Sequence, residues 1–172
     1  GLCAGDQGRD WLMAQEFTLQ PSPRLKQGLS VDRDTVVGSW TPAITFVTPG
    51  DLSVAYTTQD GAYWRTRNEM RLSCVIFTST FSHSTASGSL NITGLPFKAI
   101  DLSGAFYLGT LSWQGITKAG YTQLSPRLGA NVQVMSVMGS GSGNAIVFIQ
   151  ASDMPTGGTV ILQGTMVYEM QF

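Results

Sequence analysis

Few side chains in this sequence could perform acid–base or nucleophilic catalysis. Its one histidine, His83, lies in the polar stretch FSHSTASGS, whose small hydroxyl residues predict a solvated loop. A serine or threonine nearby becomes a nucleophile only beside a fixed base and an orienting acid, and spacing alone predicts neither. We therefore expect no catalytic residue here, and we expect His83 to be dispensable.

Metal and phosphate chemistry have equally little support in the sequence. One His and two Cys, without an acidic cluster, do not supply the ligands of a zinc site. Cys3 lies in a Gly-rich tail, and Cys74 lies in an apolar strand pattern that predicts a small buried hydrophobe. The stretch GSGSGN (139–144) follows a strand pattern but precedes no helix pattern, which predicts a flexible turn. We expect no metal and no cofactor.

A pair of carboxylates could still hydrolyse a glycosidic bond if folding brought two acids together. Of the eleven acids, five precede residue 38, and three lie in turn sequences where Asp caps backbone groups. Those three are Asp51, Asp60 and Asp153. The other three acids are Glu69, Asp101 and Glu169, and no spacing argument connects them. A glycosidase site is therefore the less favoured alternative, and we expect the chain not to be an enzyme.

Aromatic rings offer binding chemistry instead. The stretch YTTQDGAYWRTRNEM (56–70) predicts two short strands folded around Asp60 and Gly61. Successive strand residues point to opposite faces, so Tyr63 and Trp64 cannot share one. A strand with one buried face needs only one of these rings, and the other must face solvent, a neighbouring chain or a ligand.

The elements that position these rings are predicted to be strands throughout. Charged residues make up only 12% of the 172, there are 20 glycines, and no helical periodicity lasts beyond a turn or two. Many short strands separated by Gly, Pro, Asn and Asp turns predict an all-β fold, an antiparallel β-sandwich of the jelly-roll kind. The predicted strands are 43–47, 52–58, 62–66, 70–81, 89–93, 105–113, 120–124, 131–138, 145–150 and 159–172.

The first 37 residues differ from the rest. The stretch DWLMAQEF could form a short helix capped by Asp10, but LQPSPRLKQG soon ends any regular structure. We interpret residues 1–37 as a linker or neck and residues 38–172 as the β-domain. The chain begins with Gly, which suggests a fragment or the mature end of a longer protein. A net charge of −1 without a basic cluster argues against nucleic-acid binding, and no apolar run approaches the roughly 20 residues of a membrane span.

Two predicted strands are apolar on both faces at their centres. In 70–81, Cys74 and Ile76 lie on one face and Val75 and Phe77 on the other, and AIVFI (145–149) repeats the pattern. A sandwich normally wets the outer face of each sheet, so these strands need a second cover. A loop could supply it, and so could an identical neighbour; we favour homo-oligomerisation.

Three ordered stretches resemble a domain of bacteriophage tail fibres and tailspikes. They are GSWTPAITF, YTTQDGAYWRTRNEMRLSCVIFTSTF and GSLNITGLPF, and the final strand GTMVYEMQF is similar to the closing strand of that domain. The resemblance covers about 60 residues from Gly38 to Phe97, and residues 98–144 show no recognisable match. Where the family has Gly before Asn, this chain has Arg67, which must take the turn conformation.

The resemblance implies a β-sandwich near the distal end of a trimeric virion protein of the phage tail. Such domains hold the trimer in register, and many contact bacterial surface glycans. Tyr63 matches the inward tyrosine of the family, and Trp40 is expected in the core or at a subunit contact. Any depolymerase activity of a full-length protein is expected upstream of this chain.

Two functions remain open. The first is binding of capsule or lipopolysaccharide glycan, because aromatic rings stack on sugar faces while neutral polar groups bond to their hydroxyls. The second is a structural trimerisation cap without a ligand. The residues predicted to bind glycan are Trp64, Arg65, Tyr107, Trp113 and Tyr121.

Overall fold

The computed structural model describes residues 35–171, and its longest elements are two antiparallel strands of 14 residues, β3 (Ser53–Thr66) and β4 (Glu69–Ser82). Thr66 pairs with Glu69, so the turn between these strands consists of Arg67 and Asn68. Arg67 has a φ of 56°, the left-handed conformation that glycine adopts most easily. The prediction that Arg67 takes this conformation is confirmed.

The predicted turn at Asp60 and Gly61 is wrong, because β3 runs straight through both residues. Asp60 pairs with Val75 and Gly61 with Cys74 in the ladder to β4. Gly61 is needed for space rather than for a turn: a Cβ atom there would lie 2.4 Å from the indole Nε1 of Trp40. The glycine marks a close approach of a ring to the backbone, which short-range sequence patterns do not distinguish from a turn.

The other strands are shorter. They are β1 (Thr35–Trp40), β2 (Ala43–Thr48), β5 (Ser87–Thr93), β6 (Phe106–Gln114), β7 (Gln123–Gly129), β8 (Met135–Ser140), β9 (Val147–Phe148) and β10 (Ile161–Glu169), with a 3₁₀ turn at Ala151–Asp153. All the strand pairs are antiparallel, and the sheet order is β1-β3-β4-β10-β6-β7-β8-β5-β2, with β9 paired to β8. No helix within 35–171 has the length and apolarity of a membrane span.

Strand β6 divides the sheet into two wings. Its residues 109–114 pair with β10, and its residues 106–108 pair with β7. We call β1, β3, β4, β10 and residues 109–114 the long wing, and we call β2, β5, β7, β8, β9 and residues 106–108 the short wing. Pro126 of β7 lies where β6 has changed partner, so its missing N–H costs no bond to β6.

The two edge strands of the sheet are linked directly by the chain. β1 and β2 are the outermost strands, yet only Thr41 and Pro42 separate Trp40 from Ala43. That link spans at most about 11 Å between Cα atoms. The sheet therefore curls on itself as a half-barrel.

The core fills the space inside this curl. Alternation in β10 buries Leu162, Met166 and Tyr168. The ring of Phe46 in β2 meets that of Phe81 in β4 edge to face at 6.2 Å, which joins the wings. Cys74 is buried as predicted, and burial raises the pKa of its thiol to about 11.

Loops between the wings are fastened by Asp51. Its carboxylate accepts hydrogen bonds from the backbone N–H groups of Ser84 and Thr85, at 2.8 and 2.7 Å, and from both hydroxyls. These bonds hold the pKa of Asp51 well below its usual value. Asp153 caps as predicted, because it accepts from the N–H of Gln150 at 2.8 Å.

The antiparallel all-β prediction is confirmed as a curled sheet, whereas the jelly-roll-like sandwich and the trimer stay predictions. The predicted strand 120–124 begins late and runs on, as β7 at Gln123–Gly129. β1 begins at Thr35, inside the predicted neck, and the rest of that neck, including Cys3, lies outside the described residues.

Candidate functional site

One row of outward-facing side chains crosses the whole curled sheet. In the short wing, cross-strand pairing links each member to the next from β2 to β6, and in the long wing from β10 to β1. The two series end at Leu108 and Val167, each one residue beyond the last β6–β10 pair, Gly109–Met166. We call it the outer row: Thr45, Asn91, Ser136, Arg127, Leu108, Val167, Arg71, Trp64 and Val37.

Trp64 stands on this row with 42% of its surface exposed, on the face that alternation predicts. Its cross-strand neighbours are Val37 of β1 and Arg71 of β4. The ring forms one wall of a cavity of about 460 Å³, which we call the Trp64 groove. Its lining residues are Thr35, Trp64, Thr66, Glu69 and Arg71.

The polar groups of the Trp64 groove are available to a ligand. The hydroxyls of Thr35 and Thr66 share one hydrogen bond of 3.2 Å, which leaves each with further capacity. Within the described part of the chain, Glu69 and Arg71 make no hydrogen bond or ion pair through their side chains. An indole face beside a guanidinium, a carboxylate and two hydroxyls can stack a flat apolar surface and bond its polar rim.

Arg65 lies on the opposite side of β3 from Trp64. Its guanidinium sits 5.8 Å from the ring centroid of Phe97, and its Nε is buried without a hydrogen-bond partner among residues 35–171. Tyr63 shares this inner face and meets Phe97 edge to face at 6.0 Å. The structure therefore separates Arg65 from Trp64, because neighbouring strand residues alternate between faces.

Tyr107 and Trp113 face the interior of the curl. The Tyr107 ring lies 6.1 Å from that of buried Tyr168, and Trp113 pairs with buried Leu162. Both are partly buried and pack on the core.

Tyr121 lines a different cavity, of about 520 Å³, near the 3₁₀ turn. Its hydroxyl donates to the carbonyl of Ala145 at 2.9 Å, and Lys118 Nζ lies 5.7 Å from its ring centroid. Lys118 is committed to Asp153 by an ion pair of 2.7 Å. The five residues predicted from sequence thus lie in several separate places. Of these five, only Trp64 lines the Trp64 groove.

Sequence reasoning missed the partners of Trp64. Alternation in β4 predicts that Arg71 faces solvent, but that pattern carries no information about which residue of the neighbouring strand lies beside it. The strand register follows from the position of the hairpin turn. With the turn at residues 67–68, Arg71 pairs with Trp64 and Glu69 with Thr66.

His83 is not the solvated residue that its polar loop predicts. It is half-buried, with its ring 5.3 Å from that of Phe46 and 5.8 Å from that of Phe81. Its Nε2 is buried without a described hydrogen-bond partner. The hydroxyls of Ser84 and Thr85, which follow His83 in the sequence, donate hydrogen bonds to Asp51.

No protein-family model and no curated protein matches this chain. The fold is similar to the Dettilon tailspike protein, known from a crystal structure, with a TM-score of 0.56 and 24% sequence identity over 77% of this chain. The match covers 23% of the tailspike, so this chain spans about a quarter of that protein's length. At this identity the likeness shows a shared fold.

Proposed function

We propose that this chain is a distal domain of a phage tail fibre or tailspike, which binds host-surface glycan and supports trimer assembly. The observation that carries the proposal is the half-exposed Trp64 ring beside unpaired polar groups, on a fold similar to part of a tailspike. The ordered stretches from Gly38 to Phe97 that resemble tail-fibre and tailspike domains support the same assignment. The location that follows is the phage tail, outside the host cell.

Binding in the Trp64 groove would proceed by stacking and edge recognition. The apolar C–H face of a sugar ring would cover the indole, which removes apolar area from water at about 25 cal/mol per Å². Arg71 would donate to ring or hydroxyl oxygens, and Glu69 would accept from hydroxyls. Because the two charges compensate each other, the groove suits a neutral sugar of capsule or lipopolysaccharide.

Trimer support would use the other end of the long wing. Val75 and Phe77 lie on the outer face of β4, opposite buried Cys74 and Ile76, and are only partly covered within one chain. Phe77 pairs with Ile161 of β10, which extends the apolar area across two strands. An identical neighbour would complete that burial.

A structural cap without a ligand is the second candidate. The outer row favours it, because Val37, Val167 and Leu108 on the same row as Trp64 expose 63%, 43% and 52% of their surfaces. In that case Trp64 would be a subunit contact, and receptor binding or depolymerase activity would reside upstream. In both candidates this chain is a binding or assembly module rather than an enzyme.

Glycan binding by wild type and Trp64→Ala separates these candidates. The chain would be applied to an array of bacterial capsule and lipopolysaccharide glycans, and its oligomeric state would be followed by light scattering. We expect array binding that Trp64→Ala abolishes, with the trimer and its Tm nearly unchanged. Leu102→Ala, which truncates a residue 48% exposed outside the groove, should bind like wild type.

Two results would contradict the glycan assignment. One is an array without hits for the wild-type trimer, which leaves the structural cap. The other is a trimer that dissociates on Trp64→Ala, with binding lost only in proportion. A stable wild-type monomer at micromolar concentration would contradict trimer support in either candidate.

A further inference from the structure

We propose a second binding site, for an anionic group, on the outer face of the short wing, with Arg127 at one end. The site is a cavity of about 550 Å³, separate from the Trp64 groove. Its polar side chains come from four adjacent strands, in cross-strand register along the outer row. Those in the row are Thr45 of β2, Asn91 of β5, Ser136 of β8 and Arg127 of β7, and Thr93 of β5 is a further polar residue of the lining.

Aromatic rings hold the guanidinium of Arg127 in place. It lies 4.8 Å from the ring centroid of Phe106 and 5.6 Å from that of Phe148. Contacts of this kind are favourable and restrict the side chain before any ligand arrives. The order required for binding is therefore largely present in the free protein.

The polar capacity of Arg127 is unused within residues 35–171. The guanidinium makes no hydrogen bond and no ion pair there, although it carries five donors in a planar fork. That fork fits two oxygens of a carboxylate or phosphate at once. An immobilised cation without an anion is therefore suited to receive one.

Neighbouring groups extend the site beyond a single charge. Ser136 Oγ donates to Asn91 Oδ1 at 2.8 Å, which orients the amide and leaves its two N–H donors unpaired among the described residues. Adjacent strands lie about 4.8 Å apart, so the distance from Arg127 to Thr45 is roughly 14 Å. A ligand with an anionic group at one end and hydroxyls along its body would meet a matching partner on each strand.

Charge distinguishes this site from the Trp64 groove. Glu69 offsets Arg71 in the groove, whereas the residues lining the Arg127 cavity include no Asp or Glu. We therefore assign an acidic saccharide, carrying carboxylate or phosphate, to the Arg127 site. This assignment does not depend on glycan binding at Trp64, and either site could exist without the other.

The test is an NMR titration of the whole ¹⁵N-labelled chain with three small probes. Glucuronate and glucose 6-phosphate carry the two anionic groups, and methyl glucoside is the neutral reference. We expect saturable shifts of the Asn91, Arg127 and Ser136 amides with at least one acidic probe, at an affinity about tenfold or more above that of methyl glucoside. Comparison of the two acidic probes distinguishes carboxylate from phosphate.

Variants locate the interaction. Arg127→Gln should remove the preference for acidic probes, and Arg127→Lys should retain part of it because the charge remains without the fork. Arg71→Gln is the matched control, an arginine on the same row in the other wing, and should leave these shifts unchanged. Should Arg127→Gln fail to fold, the wild-type titration and Arg127→Lys still show whether the Arg127 site prefers acidic probes.

The proposal is overturned if the three amides do not shift in wild type, or if methyl glucoside shifts them at the same concentration as the acidic probes. It is also overturned if Arg127→Gln is folded and keeps its preference. The array result for Trp64→Ala bears only on the groove, so failures of the two sites are distinguishable.

Discussion

The outer faces of the two wings belong to one cross-strand row but differ in chemistry. Along the long wing the row carries Val167, Arg71, Trp64 and Val37, an exposed and mostly apolar surface. Its one charged residue, Arg71, lines the same groove as Glu69. Along the short wing the row carries three polar residues and an arginine without a counter-charge before it reaches Leu108. Alternation decides which residues face outward, but cross-strand pairing decides which chemistry they form together.

The backbones of the wings differ as well. In the long wing β1 and β3 pack through two glycine–aromatic pairs, Gly38 under Tyr63 and Gly61 under Trp40. A Cβ at either glycine would lie 2.4 Å from the paired ring. A Cβ atom at Gly129 of the short wing would lie 3.7 Å from the side chain of Val132, an ordinary van der Waals distance. The contact between β1 and β3 therefore tolerates an added methyl group less well than the position of Gly129 does, and the long wing also holds the proposed subunit contact.

The largest effect is expected from a charge on the proposed subunit face. Phe77→Asp would bury a carboxylate without a partner in each subunit, at a cost of about 3–5 kcal/mol per protomer. Light scattering should show dissociation before circular dichroism shows unfolding. Gln123→Asp, at an exposed position of the short wing, should leave the oligomer intact. Dissociation by both variants, or by neither, would remove the distinction between the wings.

A smaller effect is expected from a methyl group between β1 and β3. Gly61→Ala should lower the free energy of unfolding by about 3 kcal/mol, because the buried Trp40 ring must move and its hydrogen bond to the Ser73 carbonyl, 3.1 Å long, is strained. Gly129→Ala should change it by about 0.5 kcal/mol or less. Urea unfolding of the two variants makes the comparison, and equal midpoints would contradict it.

Burial revises the expectation for His83. Its ring touches Phe46 of the short wing and Phe81 of the long wing, so it contributes to the contact between them. His83→Ala should cost about 1 kcal/mol in stability through lost ring contacts, more than a solvated residue would. Thermal unfolding measures this cost, and binding to the glycan array should be unchanged. Lost binding by a folded His83→Ala variant would contradict its dispensability.

The smallest effect is expected from Asp51 and depends on pH. The folded-state pKa of Asp51 is depressed, so its contribution is present above the unfolded value of about 3.9 and is lost as pH falls towards the folded value. Asp51→Asn should lower the Tm at pH 7, and the difference from wild type should narrow below about pH 4. Asp101→Asn serves as the control. A difference independent of pH would mean that the carboxylate charge is not what fastens these loops.

The sequence predicted elements where one pattern dominated. β10 alternates cleanly and β4 is a long apolar run, and both were located to within a few residues. The predicted strand stops before Pro126 because proline usually marks a strand end, whereas β7 accommodates Pro126 because β6 changes partner from β7 to β10 at Gly109. Gly61 was misread as a turn because the ring above it comes from β1, 21 residues earlier.

The candidate sites were predictable only in part. Trp64 was identified because two adjacent aromatics cannot share a face, but Arg71 and Glu69 reach it through the hairpin register. Tyr107, Trp113 and Arg65 also have side chains of the types that bind sugars, but they face inward. Arg127 gave no signal, because its significance depends on the rings of Phe106 and Phe148, which reach it from two other strands.

The central place of β10 has a consequence for synthesis on the ribosome. β10 lies between β4 and β6, yet it follows both in the chain, and Leu162, the partner of Ile76, comes 86 residues after it. At about 5–20 residues per second, the nascent chain keeps an apolar strand edge unpaired for several seconds. Glu69 and Arg71 stand at the start of β4, where charges discourage association with other nascent chains. The same two residues would then protect the chain before the domain closes and serve the groove afterwards.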